Sequence, residues 1–370
     1  MRLLTALVDL YQHLRRRNHR HAAPRGVVLI SSGGLGDTVL LATVFERFAK
    51  LAIEGEHVTL ILRQDAAPMA FLFDGIAMVE TIDYSRLDRQ ATYRHRTLSN
   101  LHNQNFRLAI SLDFLRHPHL DEALIAACAA QTTHAMKPRP WAKHVTALAR
   151  NRRLYTDQFD SGPAHLDKVI RWQHYADWLL KSKNPLTPLR LPARCLPEPA
   201  TLDRPTVFVQ PFSAVSSKQV SPDFLAHVLE AVPSDWKICL TGAPTDMERS
   251  PAYATLLDAP RITFDCRSFK DLLPELRAAA AVLSVDTAML HLAAAAGVPT
   301  LGLASAAYVG EIVPYDAAIA PANVHIIYNT MPCEGCLGIC HLPLEDGIFP
   351  CVARLDAHVT KSAFEAILQN

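Results

Sequence analysis

What most limits the folds open to this chain is an alternation of short apolar runs with amphipathic stretches that passes along the sequence twice. Gly26-Val-Val-Leu-Ile-Ser31 is continuously apolar, as a parallel strand covered on both faces must be. Behind it, Val39, Leu40, Val44, Phe45 and Phe48 recur at helical spacing after Asp37. Strand-like Val58–Leu62, a helix around Ala66–Phe73, strand-like Met78–Ile82, a helix at Tyr93–Asn103 and strand-like Leu108–Leu112 continue the series. The pattern lapses over residues 137–161 before an amphipathic helix at His165–Leu180. Six prolines between Lys181 and Pro205 then read as an extended linker. Beyond them the alternation restarts: strands at Thr206–Gln210, Lys237–Thr241, Ile262–Phe264, Val282–Val285 and Thr300–Leu303, and helices at Asp223–Val232, Lys270–Ala280 and Thr287–Ala296. This predicts an α/β chain of two Rossmann-like, doubly wound domains facing across a cleft. The boundaries expected are a basic amphipathic segment at 1–24, a first domain at 25–184, a linker at 185–205, a second domain at 206–355 and a last helix at 356–370.

The 370 residues are enough for two such cores, and 49 % apolar against 20 % charged residues can fill them. Net charge is +1, but residues 1–25 hold six arginines against Asp9 alone, which leaves the remainder acidic. Bulk charge therefore argues against a nucleic-acid partner. No run approaches the roughly 18 apolar residues of a membrane span, and the N-terminus lacks a secretory cleavage pattern. A cytoplasmic protein is expected. Leu3, Leu4, Leu7, Val8 and Tyr11 share a helical face ahead of Arg15–Arg17, so residues 1–20 are a candidate contact with an anionic membrane surface, set against a helix docked on its own domain.

Four sequence blocks carry chemistry. Gly33, Gly34 and Gly36 precede Asp37 between the first strand and helix, a place where backbone amides can approach a phosphate or sugar. The block lacks the third glycine of a dinucleotide fingerprint and the Lys-Ser/Thr of a P-loop, which argues against an oxidoreductase and a P-loop NTPase. Asp37 is either a helix cap or a general base. A Ser-rich loop, with Ser213 and Lys218, can neutralise a leaving diphosphate. Thr241-Gly242-Ala-Pro244-Thr-Asp246-Met-Glu248 is a turn at a strand end, where Asp246 or Glu248 can meet ribose hydroxyls. Ser284-Val-Asp286-Thr287 opens an alanine-rich helix stopped by Gly297; Thr287 can hold a phosphate oxygen there, Asp286 a sugar hydroxyl, and His291 is either a core or a site histidine.

In this order, with the cysteines that follow, these blocks resemble glycosyltransferase family 9, the ADP-heptose:lipopolysaccharide heptosyltransferases, over about residues 25–355. The resemblance implies the two-domain GT-B fold and an inverting transfer without a catalytic metal. It implies Asp37 as catalytic base, donor pyrophosphate contacts for Ser213, Lys218 and Thr287, a heptose hydroxyl contact for Asp286, a ribose contact for Asp246, and a glycolipid or glycan acceptor; Gly242 and His291 complete the donor-side candidates, and the N-terminal residues set the expectation of a cytoplasmic enzyme, peripheral at the inner face of the membrane if residues 1–20 make that contact. The family's Asp-Thr-Gly-Pro is Asp286-Thr287-Ala288-Met289 here, so Met289 is expected to narrow the donor site. A different nucleotide-sugar, a protein acceptor or a non-catalytic scaffold are the rival readings.

Of eight cysteines, Cys128, Cys195, Cys239 and Cys266 are scattered in apolar settings and read as buried thiols. Cys333, Cys336, Cys340 and Cys351 have part of the spacing of a tetrahedral thiolate site. Structural zinc or iron, reduced thiols and disulfides are the alternatives; the resemblance adds iron, since autotransporter heptosyltransferases hold one on four cysteines.

Overall fold

The computed structural model describes residues 2–15 and 23–369. Arg16, Arg17 and Arg20 of the basic N-terminal segment lie outside them, as does the first residue of the segment assigned to membrane contact.

The strands are β1 (Val27–Ile30), β2 (Val58–Arg63), β3 (Met78–Ile82), β4 (Leu108–Ser111), β5 (Thr132–Met136), β6 (Asp157–Phe159), β7 (Thr206–Gln210), β8 (Lys237–Thr241), β9 (Ile262–Asp265), β10 (Ala281–Val285), β11 (Thr300–Ala304) and β12 (Val324–Tyr328). The α-helices are α1 (Arg2–Arg15), α2 (Leu35–Ala49), α3 (Tyr84–Arg89), α4 (Ala91–Asn103), α5 (Asp121–Cys128), α6 (Val145–Asn151), α7 (Lys168–Leu180), α8 (Pro222–Leu229), α9 (Asp246–Arg249), α10 (Phe269–Arg277), α11 (Ala288–Ala296), α12 (Pro350–Ala353) and α13 (Ala357–Leu368). The chain divides into two compact units, Met1–Ala164 with Arg171–Pro185, and His165–Ile170 with Leu186–Asn370.

The first unit is built on a parallel sheet of order β3-β2-β1-β4-β5-β6. All four residues of β1 are buried, as are Leu60 and Ile61 of β2 and Ala109 and Ile110 of β4 beside it, so aliphatic side chains point to both faces. Helices supply the cover: Val39, Leu40, Val44, Phe45 and Phe48 of α2 are buried, and Leu98 and Leu101 of α4 join α5 in one core cluster. Glu56 ties the start of this sheet together. Its carboxylate accepts Nε and Nη2 of Arg107 at 2.7 and 2.6 Å and the Gly26 amide at 2.9 Å. The Arg107 guanidinium, partly offset by burial, lowers the Glu56 carboxyl to about 2.

In the second unit the order is β12-β11-β10-β7-β8-β9, again all parallel. Here local chemistry sets the helix ends. Ser221 caps α8 by accepting the Phe224 amide, and Pro222 fills the first turn where no amide is needed. Ser268 caps α10 in the same way, and Gly297 closes α11 at φ +83°, a left-handed conformation that glycine adopts without strain.

Several elements differ from the sequence expectation. Residues 64–73 form a 3₁₀ rather than an α-helix, with Pro68 removing one backbone donor. The lapsed stretch holds α6 and β6, and α7 starts at Lys168 because Asp167 accepts the Val169 amide ahead of it. The proline-rich stretch lies packed in the second unit from Leu186 on: Leu189 and Leu191 are buried, and their amides donate to Ile319 and Ala295. Cys128, Cys195 and Cys239 are buried as expected, whereas Cys266 is exposed in the turn after β9.

Candidate active site

Both sheets have the strand order that reverses direction beside the first strand, and in open α/β sheets ligands bind at the carboxyl ends of the strands at that reversal. In the first unit the point lies between β1 and β4, and in the second between β7 and β10. The loops that leave these four strands are where the sequence placed its glycines, Lys218 and Asp286.

In the first unit, α2 begins at Leu35, so Gly36 and Asp37 belong to its first turn and Gly34 is the capping residue. Asp37 is therefore not the cap itself. Its Oδ2 accepts the Gly34 amide at 2.9 Å, which holds the carboxylate over the glycine loop. A Cβ on Gly33 would come within 2.4 Å of the Asp37 Cβ, so this approach of loop and carboxylate requires glycine. Next door, Ser32 donates its amide and hydroxyl to Asp113 Oδ2 at 2.5 and 3.1 Å, joining the loop after β1 to the loop after β4. Asp121 accepts the Tyr84 hydroxyl at 2.8 Å and the His117 amide at 2.6 Å, and burial raises its carboxyl above the ordinary value. Arg116, fully buried, donates to the carbonyls of Asp113 and Met136 and pairs with Glu122, which fixes the β4 loop against the end of β5. On the loops after β4 and β5, Trp141 packs edge-on to His144 and His117, with centroids 4.4 and 6.0 Å apart. Burial, then the neighbouring His144 and His119, lowers His117 to about 4.

In the second unit, the Lys218 ammonium lies 2.8 Å from Asp286 Oδ2, with only 11 % and 7 % of the two side chains exposed. This pair joins the loop after β7 to the loop after β10. Tyr308 presents its ring face to the same ammonium, 4.2 Å from the centroid. Thr287 follows at the N-cap of α11 without capping it; its hydroxyl lies 3.3 Å from Ser284 Oγ and donates to the Val285 carbonyl. The first-turn amides of α11 thus stand beside Asp286 and Thr287. His291, one turn along, is buried, with Nδ1 2.8 Å from the Tyr315 hydroxyl. Burial and the charges of Asp286 and Asp167 push the Tyr315 phenol well above its ordinary value, so it stays protonated.

The remaining candidates sit in the loops after β7 and β8. Ser213 Oγ accepts the Val215 amide, and Asp246 Oδ2 accepts the Ala243 amide at 2.6 Å. A Cβ on Gly242 would lie 2.7 Å from the Phe212 ring, so glycine lets this turn close on the phenylalanine. Met289 is 1 % exposed and Ala288 buried, so the bulk expected to narrow the donor site is taken up in the packed interior. Sequence reasoning missed Tyr308, Tyr315, Asp113 and Trp141.

All eight cysteines are free of disulfides. Cys333, Cys336, Cys340 and Cys351 line one small pocket, and burial raises the thiols of Cys333 and Cys351. Among the described residues no three His, Cys, Asp or Glu side chains are placed to hold a metal ion. No chemical step is assigned to the cluster.

The model of glycosyltransferase family 9 (heptosyltransferase) matches residues 140–338, more than half of the chain. A family 9 glycosyl transferase of Veillonella parvula superposes with a TM-score of 0.68 at 14 % identity, over 93 % of this chain and 97 % of that one. Heptosyltransferase WaaC of E. coli, solved with ADP-2-deoxy-2-fluoro heptose, gives 0.64 at 16 % identity over 92 % and 99 %. TibC, an iron-containing dodecameric glycosyltransferase of enterotoxigenic E. coli, gives 0.52 at 13 % over 95 % and 78 %. At such identities the likeness is one of fold, the GT-B architecture. No curated protein matches the chain in sequence. The family match, on a fold with both strand-order reversals furnished as described, identifies the chain as a glycosyltransferase that belongs to family 9, the heptosyltransferase family.

Proposed function

We propose that the chain is an inverting glycosyltransferase that moves a heptose from ADP-heptose to a hydroxyl of a lipopolysaccharide core or another cell-surface glycan. The observation that carries the donor side is the Lys218–Asp286 pair before the N-terminus of α11, with Thr287 at the cap position of that helix. Such a group suits a diphosphate. The donor reading also draws on WaaC, a protein of the same fold solved with an ADP-heptose analogue.

In the proposed step Asp37 takes the proton of the acceptor hydroxyl as that oxygen forms a bond to the anomeric carbon from the side opposite the diphosphate. The carbon–oxygen bond to the diphosphate breaks, and its electron pair leaves on ADP. Lys218 and the α11 amides, with the Thr287 hydroxyl, stabilise that developing charge. Asp286, in ion pair with Lys218, sets the ammonium's position and takes a donor sugar hydroxyl on its carboxylate. Asp246 and Gly242 form the turn assigned to the ribose, and His291, held by Tyr315, positions α11. Every charge in this scheme is handled by protein groups, so it calls for no cofactor. On the acceptor side, Trp141 with His117 and His144 offers faces on which a sugar ring can stack.

The test is transfer from ADP-heptose to a heptose-deficient core oligosaccharide, with the product's anomeric configuration read by NMR. Inverted product is expected from the wild type; retained configuration, or no transfer to any glycan acceptor, would overturn the reading.

A further inference from the structure

The cysteine-bearing loop, which no chemical step uses, is tied by its backbone to the surroundings of Lys218. Gly335 donates its amide to the Ala306 carbonyl at 2.9 Å and Leu337 to that of Ala307 at 2.8 Å, and Ala306 and Ala307 line the pocket of the four cysteines. Tyr308 ends this short turn, half-buried, its carbonyl accepting the amides of Glu311 and Ile312 at 3.0 Å each. Further along the same loop, Phe349 donates to the Ser217 carbonyl at 2.9 Å, one residue before Lys218. Residues 335–349 are thus fastened to both halves of one contact, the Tyr308 ring and the Lys218 ammonium 4.2 Å from its centroid.

The chemistry of that contact decides its use. Only 11 % of the lysine side chain is exposed, and an ammonium so covered calls for a partner to each of its three hydrogens. Asp286 takes one at 2.8 Å, but it also cancels the charge. A ring face attracts the cation through its quadrupole without bringing a second anion, so the ammonium stays available to a phosphate oxygen. It also restrains a four-carbon stem that is otherwise flexible. We propose that Tyr308 is a positioning residue for the donor diphosphate and acts through Lys218: ring and Asp286 fix two directions of the ammonium and leave the third for a phosphate oxygen. The proposal rests on the donor reading above and adds a residue to that site.

The test is isothermal titration of ADP-heptose into the full chain, its Tyr308→Leu, Tyr308→Phe and Lys218→Met variants, and the Tyr308→Leu, Lys218→Met double variant. Tyr308→Leu is expected to weaken binding about five- to thirtyfold, and Tyr308→Phe, which keeps the ring, to stay within about threefold of wild type. In the Lys218→Met background, Tyr308→Leu should add less than about twofold, because the residue it acts through is gone. An undiminished effect of Tyr308→Leu without Lys218 would overturn the proposal, as would a phenylalanine variant as weak as the leucine one. If the leucine variant does not fold, as its melting temperature would show, Tyr308→Met carries the same expectations. Wild-type binding that depends on Lys218 but not on Tyr308 overturns this proposal and keeps the donor reading, whereas no binding of ADP-heptose by the wild type overturns both.

Discussion

Asp37 is where two demands meet on one side chain, because its carboxylate both secures the start of α2 through the Gly34 amide and is assigned the acceptor proton. Asp37→Asn keeps the shape and removes the basicity. It should lower turnover by about two to four orders of magnitude and leave donor affinity nearly unchanged, as steady-state kinetics and calorimetry would read. Turnover within tenfold of wild type would take the base role from Asp37. Glu56 gives a test of stability instead. Its folded carboxyl is lowered to about 2 from 4.5, so its stabilisation is in force above pH 4.5 and is lost as the pH falls toward 2. Glu56→Gln should cost roughly 1–2 kcal/mol at neutral pH, after allowance for screening, and less near pH 2, seen as a denaturation midpoint whose gap from wild type closes on acidification. Asp37, Lys218, Asp286 and Thr287 were legible in the sequence because each sits in a block whose spacing marks a strand end. Tyr308 and Tyr315 were not. They meet Lys218 and His291 only after folding, from far along the chain, and nothing in the neighbouring sequence marks an aromatic ring as an ammonium's or imidazole's partner.

At the level of elements, the strands read most easily are those buried on both faces: β1, β2, β4, β7, β8, β10 and β11 are near-continuous apolar runs. Missed strands have a different physics. β6 and β12 are sheet edges with half-exposed residues, and β5 mixes Thr132, Thr133 and His134 into its run, so neither periodicity nor apolarity marks them. The loops between elements are held by close backbone approach, which gives a second kind of prediction. Gly33→Ala places a methyl against the Asp37 side chain, and should cost about 1–3 kcal/mol in thermal unfolding together with a loss of turnover. Trp141→Ala alters only the proposed stacking face. It should raise the acceptor KM by about tenfold, in line with loss of one aromatic contact, while the donor dissociation constant stays put. A change in donor affinity instead would remove Trp141 from the acceptor side.

Across the whole molecule, the sequence carried the fold class because the same alternation occurs twice, and each half folds to the same strand order in its own sheet. It carried less of the site's detail, since the ties between loops, Ser32 to Asp113 and Lys218 to Asp286, span more than sixty residues and depend on which strands become neighbours. Those two ties stand at corresponding reversals of strand order, one offering a carboxylate beside a glycine loop and the other a cation beside a helix N-terminus. The central claim, that the second of these holds a nucleotide-diphospho-sugar, is tested most directly by isothermal titration of the purified full chain with ADP-heptose beside ADP, UDP, GDP and CMP. Selective binding of ADP-heptose is predicted, weakened by about tenfold or more in Lys218→Met through loss of a charged contact and unaffected in Asp37→Asn. Binding of none of these nucleotides, or ADP-heptose affinity indifferent to Lys218, would contradict the account.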